Sequence, residues 1–166
     1  MRAPGTLGEY VAAPGRHRSV VDPIAALLRF LRSCCANHSQ HEISIDGATR
    51  CTHCVLDTLV LAIMDDAEAA AIRSVSPLGR EVVTLTVAEG AVTADPTTAV
   101  ISFGMLREGS GTVFETLCPY VNAFPSEEAY QRWAAATPDA VTVSMSVQQA
   151  WEFARDMLGP TAAVAQ

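Results

Sequence analysis

The stretch VLDTLVLAIM, residues 55–64, constrains the fold more than any other part of the chain. Its apolar residues recur at helical spacing over one broad face, which predicts a helix with most of its surface buried. A membrane span needs about 18 apolar residues, whereas this run is shorter, is interrupted by Asp57 and is followed by Asp65 and Asp66. We therefore expect the segment to pack inside a protein core.

Length, composition and charge narrow the class of protein. The chain has 166 residues, of which 49% are apolar and 17% charged, as is typical of one compact domain. A net charge of −7 argues against nucleic acid or an anionic membrane as a partner, because neither offers cations to an acidic surface. The first residues contain no apolar segment like that of a secretory signal. We therefore expect a soluble, cytoplasmic protein.

The residue patterns elsewhere predict an α+β fold. The segments HEISIDGATRC and EVVTLTVAEGAVT are typical of β-hairpins that turn at Asp46-Gly47 and Glu89-Gly90. Further strands are predicted at TAVISFGM and AVTVSMS, and further helices at DPIAALLRFLRSCC, PSEEAYQRWAAAT and SVQQAWEFARDML. This order favours a mixed or antiparallel sheet core with flanking helices over a regular βαβ winding.

Two further assignments connect these elements. The Ala-rich residues that follow Met64 are predicted to continue the central helix to about Arg73, as one long helix or two short ones. The segment TVFETLCPYVNAF is predicted as another strand, which ends near Phe124. Cys118 would then lie on this strand or just after it.

The cysteines are candidates for a reactive or metal-binding role. An odd number of thiols in a reducing compartment favours buried, reactive or metal-binding cysteines over a disulfide framework. Taken alone, Cys118 fits a core residue better than a catalytic one. The five cysteines are Cys34, Cys35, Cys51, Cys54 and Cys118.

Cys54 and Asp57 open the predicted central helix. A helix N-terminus favours a thiolate at Cys54, because free backbone N–H groups point toward it. Asp57 follows one turn later on the same side, among apolar neighbours that favour its protonated form. The pair offers a soft nucleophile beside a proton donor, although a first-turn acid and a buried cysteine are also ordinary features of helices.

Metal binding is an alternative for the same segment. Cys51-x-x-Cys54 can chelate a soft metal. Cys35-x-x-His38 is separated by twelve residues from Cys51-x-x-Cys54, a spacing close to that of structural zinc sites. Against zinc, Cys35 belongs to the end of a predicted helix and Cys54 leads directly into a buried one.

CVLDTLVLAI, preceded by the hairpin EISIDGATRCTH, resembles the Cys-x-Leu-Asp-Thr-Leu helix of the alkylmercury lyase (organomercurial lyase) family. The resemblance to this family extends over roughly residues 41–158. EVVTLTV and TTAVISF resemble its central strands, and TLCPYVNAFPSEEAYQRW resembles the segment that carries its second cysteine. AVTVSMSVQQAWEFARDML is similar to its closing strand and helix.

The resemblance implies cleavage of a carbon–mercury bond by protonolysis, with release of a hydrocarbon and Hg(II). Cys54 and Cys118 correspond to the family cysteines whose thiolates take the metal, and Asp57 to the aspartate that moves the proton. Hg(II) would stay on these three residues as bound product, with Cys51 as a further candidate ligand. The substrate would be an organomercurial, external thiols would release the product, no cofactor would be required, and a mercuric reductase is a candidate partner for Hg(II) hand-over.

Departures from the family pattern leave other functions open. Residues 1–40 are shorter than the winged-helix-like region of relatives and are predicted as an arm and a helix, followed by a catalytic domain at 41–158 and a flexible tail at 159–166. Cys51 is an additional thiol. The alternatives are a non-enzymatic thiol protein that binds zinc or mercury, and a lyase-fold relative recruited to other chemistry, such as a biosynthetic step.

Overall fold

The computed structural model of the protein describes residues 40–159. The predicted helix that begins at Asp22 lies outside this range, as do Cys34, Cys35 and His38. In chain order the elements are β1 (His41–Ile45), β2 (Ala48–Thr52), α1 (Val55–Met64), β3 (Ala69–Val75), β4 (Val82–Ala88), β5 (Ala91–Asp95), β6 (Val100–Leu106), α2 (Val113–Thr116), a 3-10 turn (Cys118–Tyr120), β7 (Ala123–Phe124), α3 (Glu127–Ala135), β8 (Ala140–Ser146) and α4 (Val147–Leu158).

The strands form two antiparallel sheets, which confirms the predicted α+β fold. One sheet has five strands in the order β2-β1-β3-β4-β5, and the other has three in the order β7-β6-β8. Both predicted hairpins are present. Their turns have positive φ at both central residues, 50° and 78° at Asp46-Gly47 and 52° and 74° at Glu89-Gly90. This is the backbone of a type I′ turn, for which glycine is well suited.

The predicted central helix is confirmed as the middle of the core. α1 packs across β1 and against α4. Its residues Val55, Leu59 and Leu61 are fully buried, with 0% of their surface exposed. One apolar cluster joins α1 and α4 to residues of both sheets, including Ile43 of β1 and Ile101 of β6. The N-terminus of α1 is therefore held by a rigid core at the point where β2 leads into it.

The predicted extension of this helix to about Arg73 is wrong. α1 ends at Met64, the chain turns at Asp66 with φ 47°, and the Ala-rich segment forms the strand β3. β3 pairs with β1 on one side and with β4 on the other. Strand pairing on both edges and burial of alternate side chains outweigh the helical preference of alanine. The buried residues of β3 include Ala70, Ile72 and Ser74.

The strand predicted for TVFETLCPYVNAF is also wrong over most of its length. Thr112 and Glu115 form a capping box that begins the short helix α2, and the 3-10 turn follows it. Within this segment only Ala123 and Phe124 pair as a strand. Pro119 explains the difference, because it has no N–H to give to a sheet and fits the first turn of a helix.

The last two helices agree with the prediction from sequence. The Ser126 side chain caps α3 and the Ser146 side chain caps α4, and each accepts a backbone N–H from the residue three positions later. α4 ends before Gly159, which has φ 67°. Within residues 40–159, none of the helices has the length and apolar character that a membrane crossing requires.

Candidate active site

Cys54 is the residue at which the chain enters α1. Its backbone is extended, with φ −145° and ψ 167°, and its sulfur accepts the backbone N–H of Asp57. In return, a carboxylate oxygen of Asp57 accepts the backbone N–H of Cys54 at 3.2 Å. This reciprocal cap is usually built from Ser or Thr with Glu or Gln. Here it holds a thiol and a carboxyl on the same side of the first turn, as the three-residue spacing predicts.

The second cysteine reaches the same place from the other sheet. Cys118 begins the 3-10 turn after α2, and the chain then enters β7 of the three-stranded sheet. At the exit of the turn, the carbonyl of Val121 accepts the backbone N–H of Val55, the first residue of α1, at 3.3 Å. A main-chain hydrogen bond therefore joins the two cysteine-bearing segments directly.

Cys54, Asp57 and Cys118 converge on one point. The two sulfurs and a carboxylate oxygen of Asp57 all lie within 4.8 Å of one another. Cys54 is 2% exposed and Cys118 is 6% exposed, while Asp57 is half-buried. Among residues 40–159, this is the one group of three or more cysteine, histidine or acidic side chains close enough to share a metal ion. The fold thus brings together the three residues to which the family resemblance assigned roles.

The two thiols of this group differ in acidity. The hydrogen bond to Cys118 raises the pKa of Cys54 well above its usual value, and burial and the Asp57 carboxylate act in the same direction. The same hydrogen bond lowers the pKa of Cys118, against the opposing effect of burial. A thiolate at Cys118 that accepts the S–H of Cys54 explains both directions. The raised pKa of Cys54 runs against the thiolate that the helix N-terminus was predicted to favour there, because the hydrogen bond to Cys118 and burial act in the opposite direction.

Asp57 lies where a carboxyl keeps its proton more readily than in water. Burial raises the pKa of Asp57, whereas hydrogen bonds from Cys54 and the nearby His53 partly oppose that rise. The net direction is upward, as its apolar neighbours predict. A carboxyl that can accept and return a proton is therefore placed beside both sulfurs.

Cys51 occupies a separate position on the edge strand β2. It is half-buried and lies opposite Glu42 of β1, and it does not belong to the group of three ligands. Its partners in the predicted zinc spacing, Cys35 and His38, lie outside the described residues. The cysteine that is nearest to Cys54 in this part of the sequence is thus not the one that the fold places against it.

An aromatic contact joins the two cysteine-bearing segments a second time. The ring of His53, which precedes Cys54, lies 5.1 Å from the ring of Phe114 in α2. Phe114 is 40% exposed, and its neighbour Val113 is 59% exposed. The short helix before Cys118 therefore presents apolar side chains to solvent near the candidate site.

Sequence reasoning missed the residues that support the Cys118 turn. The side-chain amide of Asn122 donates to the Pro119 carbonyl at 2.8 Å, and the hydroxyl of Ser102 donates to the Tyr120 carbonyl at 2.8 Å. Ser102 also accepts the backbone N–H of Asn122 at 3.0 Å. Ser102 belongs to β6, so no local pattern links it to this turn. The one signal in the sequence is a serine inside the apolar strand VISF.

Comparisons with known proteins agree with the family resemblance seen in the sequence. The sequence profile described as alkylmercury lyase matches residues 35–159. Among solved structures, the chain is similar to the mercury-bound form of MerB2, with a TM-score of 0.63 and 20% sequence identity. That similarity covers 76% of this chain but 60% of the solved one, so the chain spans well under the full length of that protein. No curated protein sequence matches the chain.

The solved structure shows the fold of the chain, and the sequence profile shows its family. The similarity in fold places the chain among α+β proteins built like MerB2. The profile match extends over far more than half of the sequence, and the chain belongs to the alkylmercury lyase family. The resemblance noted in the sequence is therefore confirmed.

Proposed function

We propose that the protein is an organomercurial lyase, which cleaves a carbon–mercury bond by protonolysis and retains Hg(II) on two thiolates. The observation that carries the proposal is the meeting of two buried sulfurs and a carboxylate oxygen within 4.8 Å. Thiolates are the protein ligands that soft cations prefer, and Hg(II) is such a cation. Membership of the alkylmercury lyase family supports the same class of reaction.

The difference in acidity between the two thiols suggests an order of events. Cys118, whose pKa is lowered, supplies the first thiolate and attacks the mercury of a substrate R–Hg–X. The sulfur electron pair forms the new Hg–S bond, and X leaves as an anion. The organic group R stays on mercury, which now lies beside Cys54.

Cys54 and Asp57 then complete the reaction. Cys54 keeps its proton in the resting site, because its pKa is raised, so it holds the proton that the departing carbon needs. Asp57 accepts this proton as Cys54 binds mercury, and then donates it to the carbon. The electron pair of the carbon–mercury bond takes the proton and R–H leaves. Mercury remains between the two sulfurs, and the carboxyl ends in its starting state.

The product leaves by ligand exchange with thiols. The proposed chemistry uses no redox cofactor and no resident metal, because the electrons of the broken bond end in the new carbon–hydrogen bond. An external dithiol or two monothiols replace Cys54 and Cys118 on Hg(II). A mercuric reductase is the proposed partner that receives the metal.

The test is incubation of the full chain with phenylmercury or methylmercury and excess thiol, followed by gas chromatography of benzene or methane. Two substrates are used so that a preference for alkyl groups is not mistaken for inactivity. We expect one hydrocarbon per mercury consumed, and none from Cys54→Ser.

The matched control is Cys51→Ser, which removes a thiol three residues before Cys54, on β2, that lies outside the group of three ligands. It is expected to leave hydrocarbon release unchanged. Stoichiometric mercury binding without any hydrocarbon from the parent would contradict the proposal and favour a non-enzymatic thiol protein. Equal loss of mercury binding in Cys51→Ser and Cys54→Ser would point to a Cys51–Cys54 chelate instead.

A further inference from the structure

A row of buried polar residues crosses one end of the five-stranded sheet. His41 of β1 pairs with Thr52 of β2 on one side and with Ser74 of β3 on the other. The three residues are 2%, 3% and 0% exposed, respectively. Polar side chains buried in this way cost free energy unless they form hydrogen bonds. We therefore expect each side chain of this row to keep its hydrogen-bond partners in the folded protein.

One end of the row reaches the Cys118 turn. His41 Nδ1 lies 2.8 Å from Ser74 Oγ, and the His41 ring also hydrogen-bonds to the side chain of Asn122. The Asn122 amide in turn donates to the carbonyl of Pro119 at 2.8 Å. Pro119 directly follows Cys118. A chain of hydrogen bonds thus runs from the sheet to the carbonyl of the residue that follows the second cysteine.

The other end of the row reaches Cys54. The Thr52 hydroxyl donates to the Cys54 carbonyl at 2.9 Å. Because Thr52 and His41 are register partners, the two anchors of the site stand side by side on neighbouring strands. The Cys54 backbone and the Cys118 turn are therefore both linked by hydrogen bonds to the same buried row of the five-stranded sheet.

We propose that Asn122, oriented by His41, is a positioning residue that fixes the Cys118 turn at the separation from Cys54 at which one mercury ion bridges both sulfurs. The proposal rests on the proposed function, because bridging by both thiols is the state that the lyase reaction requires. Asn122 is 3% exposed. Its side-chain amide donates to the Pro119 carbonyl of the turn, and its backbone N–H donates to the Ser102 hydroxyl, which itself donates to the Tyr120 carbonyl of the turn. A displacement of about 1 Å at a reacting group can cost roughly 100-fold in rate, so this support matters for chemistry as well as for folding.

The deciding variant is Asn122→Asp, which has the same shape and keeps an oxygen that can accept from His41. It replaces the amide donor by a second oxygen, which repels the Pro119 carbonyl. We expect Hg(II) to be lost to competing glutathione roughly 10- to 100-fold more readily than from the parent. The readout is the ultraviolet charge-transfer band of the mercury–thiolate bonds. Single-turnover release of benzene from phenylmercury is expected to slow by a similar factor.

Two further variants separate positioning from stability. Tyr130→Phe removes a hydrogen bond of comparable burial, that of Tyr130 Oη to Thr142 Oγ1 at 3.0 Å, which lies outside the row. It is expected to lower thermal stability without changing Hg(II) retention. Ser74→Ala removes the support behind His41 and is expected to weaken retention less than Asn122→Asp does. It replaces Asn122→Asp as the deciding variant if that protein does not fold.

Each outcome has a distinct meaning. Parent-like retention of Hg(II) by the deciding variant, with only a lower melting temperature, overturns the proposal and leaves Asn122 as a packing residue. If the parent retains Hg(II) on both thiols but releases no hydrocarbon, the proposed function fails, whereas the charge-transfer measurement still tests the positioning role.

Discussion

The two cysteines of the site are held by different kinds of structure. Cys54 caps a ten-residue helix in the core, and its bonds to Asp57 span three residues of sequence. Cys118 lies in a three-residue turn, whose carbonyls are bonded by Asn122 and by Ser102 from a distant strand. One thiol is thus positioned mainly by local structure and the other mainly by tertiary contacts. The site is complete only when the two sheets share one core.

The largest expected effect is the loss of lyase activity on replacing either cysteine of the site. Cys54→Ser and Cys118→Ser should each reduce lyase activity by more than about 10⁴-fold, because removal of a residue that forms a bond to the substrate has losses of this order. Hydrocarbon release is the measurement. If either variant keeps more than a small fraction of the parent rate, one thiol suffices and the requirement for both cysteines is contradicted.

Asp57→Asn tests the group that lies between the thiols. The amide still accepts the Cys54 N–H but cannot carry the proton, so we expect a loss of roughly 10²- to 10⁴-fold in hydrocarbon release. Retention of Hg(II) should remain close to that of the parent. The matched control is Glu115→Gln, because Glu115 closes the corresponding capping box on α2 and is fully exposed. A parallel loss of Hg(II) binding in Asp57→Asn would assign the carboxyl to metal binding instead.

Alkylation can rank the two thiols directly. The pKa of Cys118 is lowered and that of Cys54 is raised, so at neutral pH the thiolate fraction is larger at Cys118. Iodoacetamide should therefore label Cys118 several times faster, and Cys54→Ala should slow this labelling by removing the S–H donor. Peptide mass mapping gives the rates, with the unfolded protein as the reference. Faster labelling of Cys54 would reverse the order of attack proposed above.

The smallest expected effects compare the supports of the two segments. Ser102→Ala removes bonds to Tyr120 and Asn122, whereas Thr52→Val removes the bond to the Cys54 carbonyl. We expect free energies of unfolding to fall by roughly 2 kcal/mol and about 1 kcal/mol respectively, because buried partners are left unpaired. Urea denaturation measures both. A larger effect of Thr52→Val would show that the cap of α1 also depends on tertiary support.

The half of the site around Cys54 could be predicted from sequence for a physical reason. Helical periodicity locates α1, and a three-residue spacing places Asp57 against Cys54 whatever the rest of the chain does. The two hairpins follow in the same way from turn residues that accept positive φ. These signals act over a few residues, so a single sequence displays them.

The half around Cys118 could not be predicted from local pattern. Its turn is bonded by Ser102, which is distant in sequence, and the β-branched and aromatic residues of TVFETLCPYVNAF favoured a strand over the helix that Thr112 caps. β3 was missed for the same reason, since its conformation is set by the strands on either side. Only the family resemblance connected Cys118 with Cys54.

The closeness of the two sulfurs also has an oxidative consequence. Two-electron oxidation of neighbouring thiols releases two protons and joins the sulfurs in a disulfide, which leaves no thiolate for a metal. A buried pair within 4.8 Å, one member of which is the more acidic, is suited to this reaction. The closeness of the sulfurs that suits them to bind a soft cation therefore makes metal binding depend on enough reductant to keep both thiols reduced.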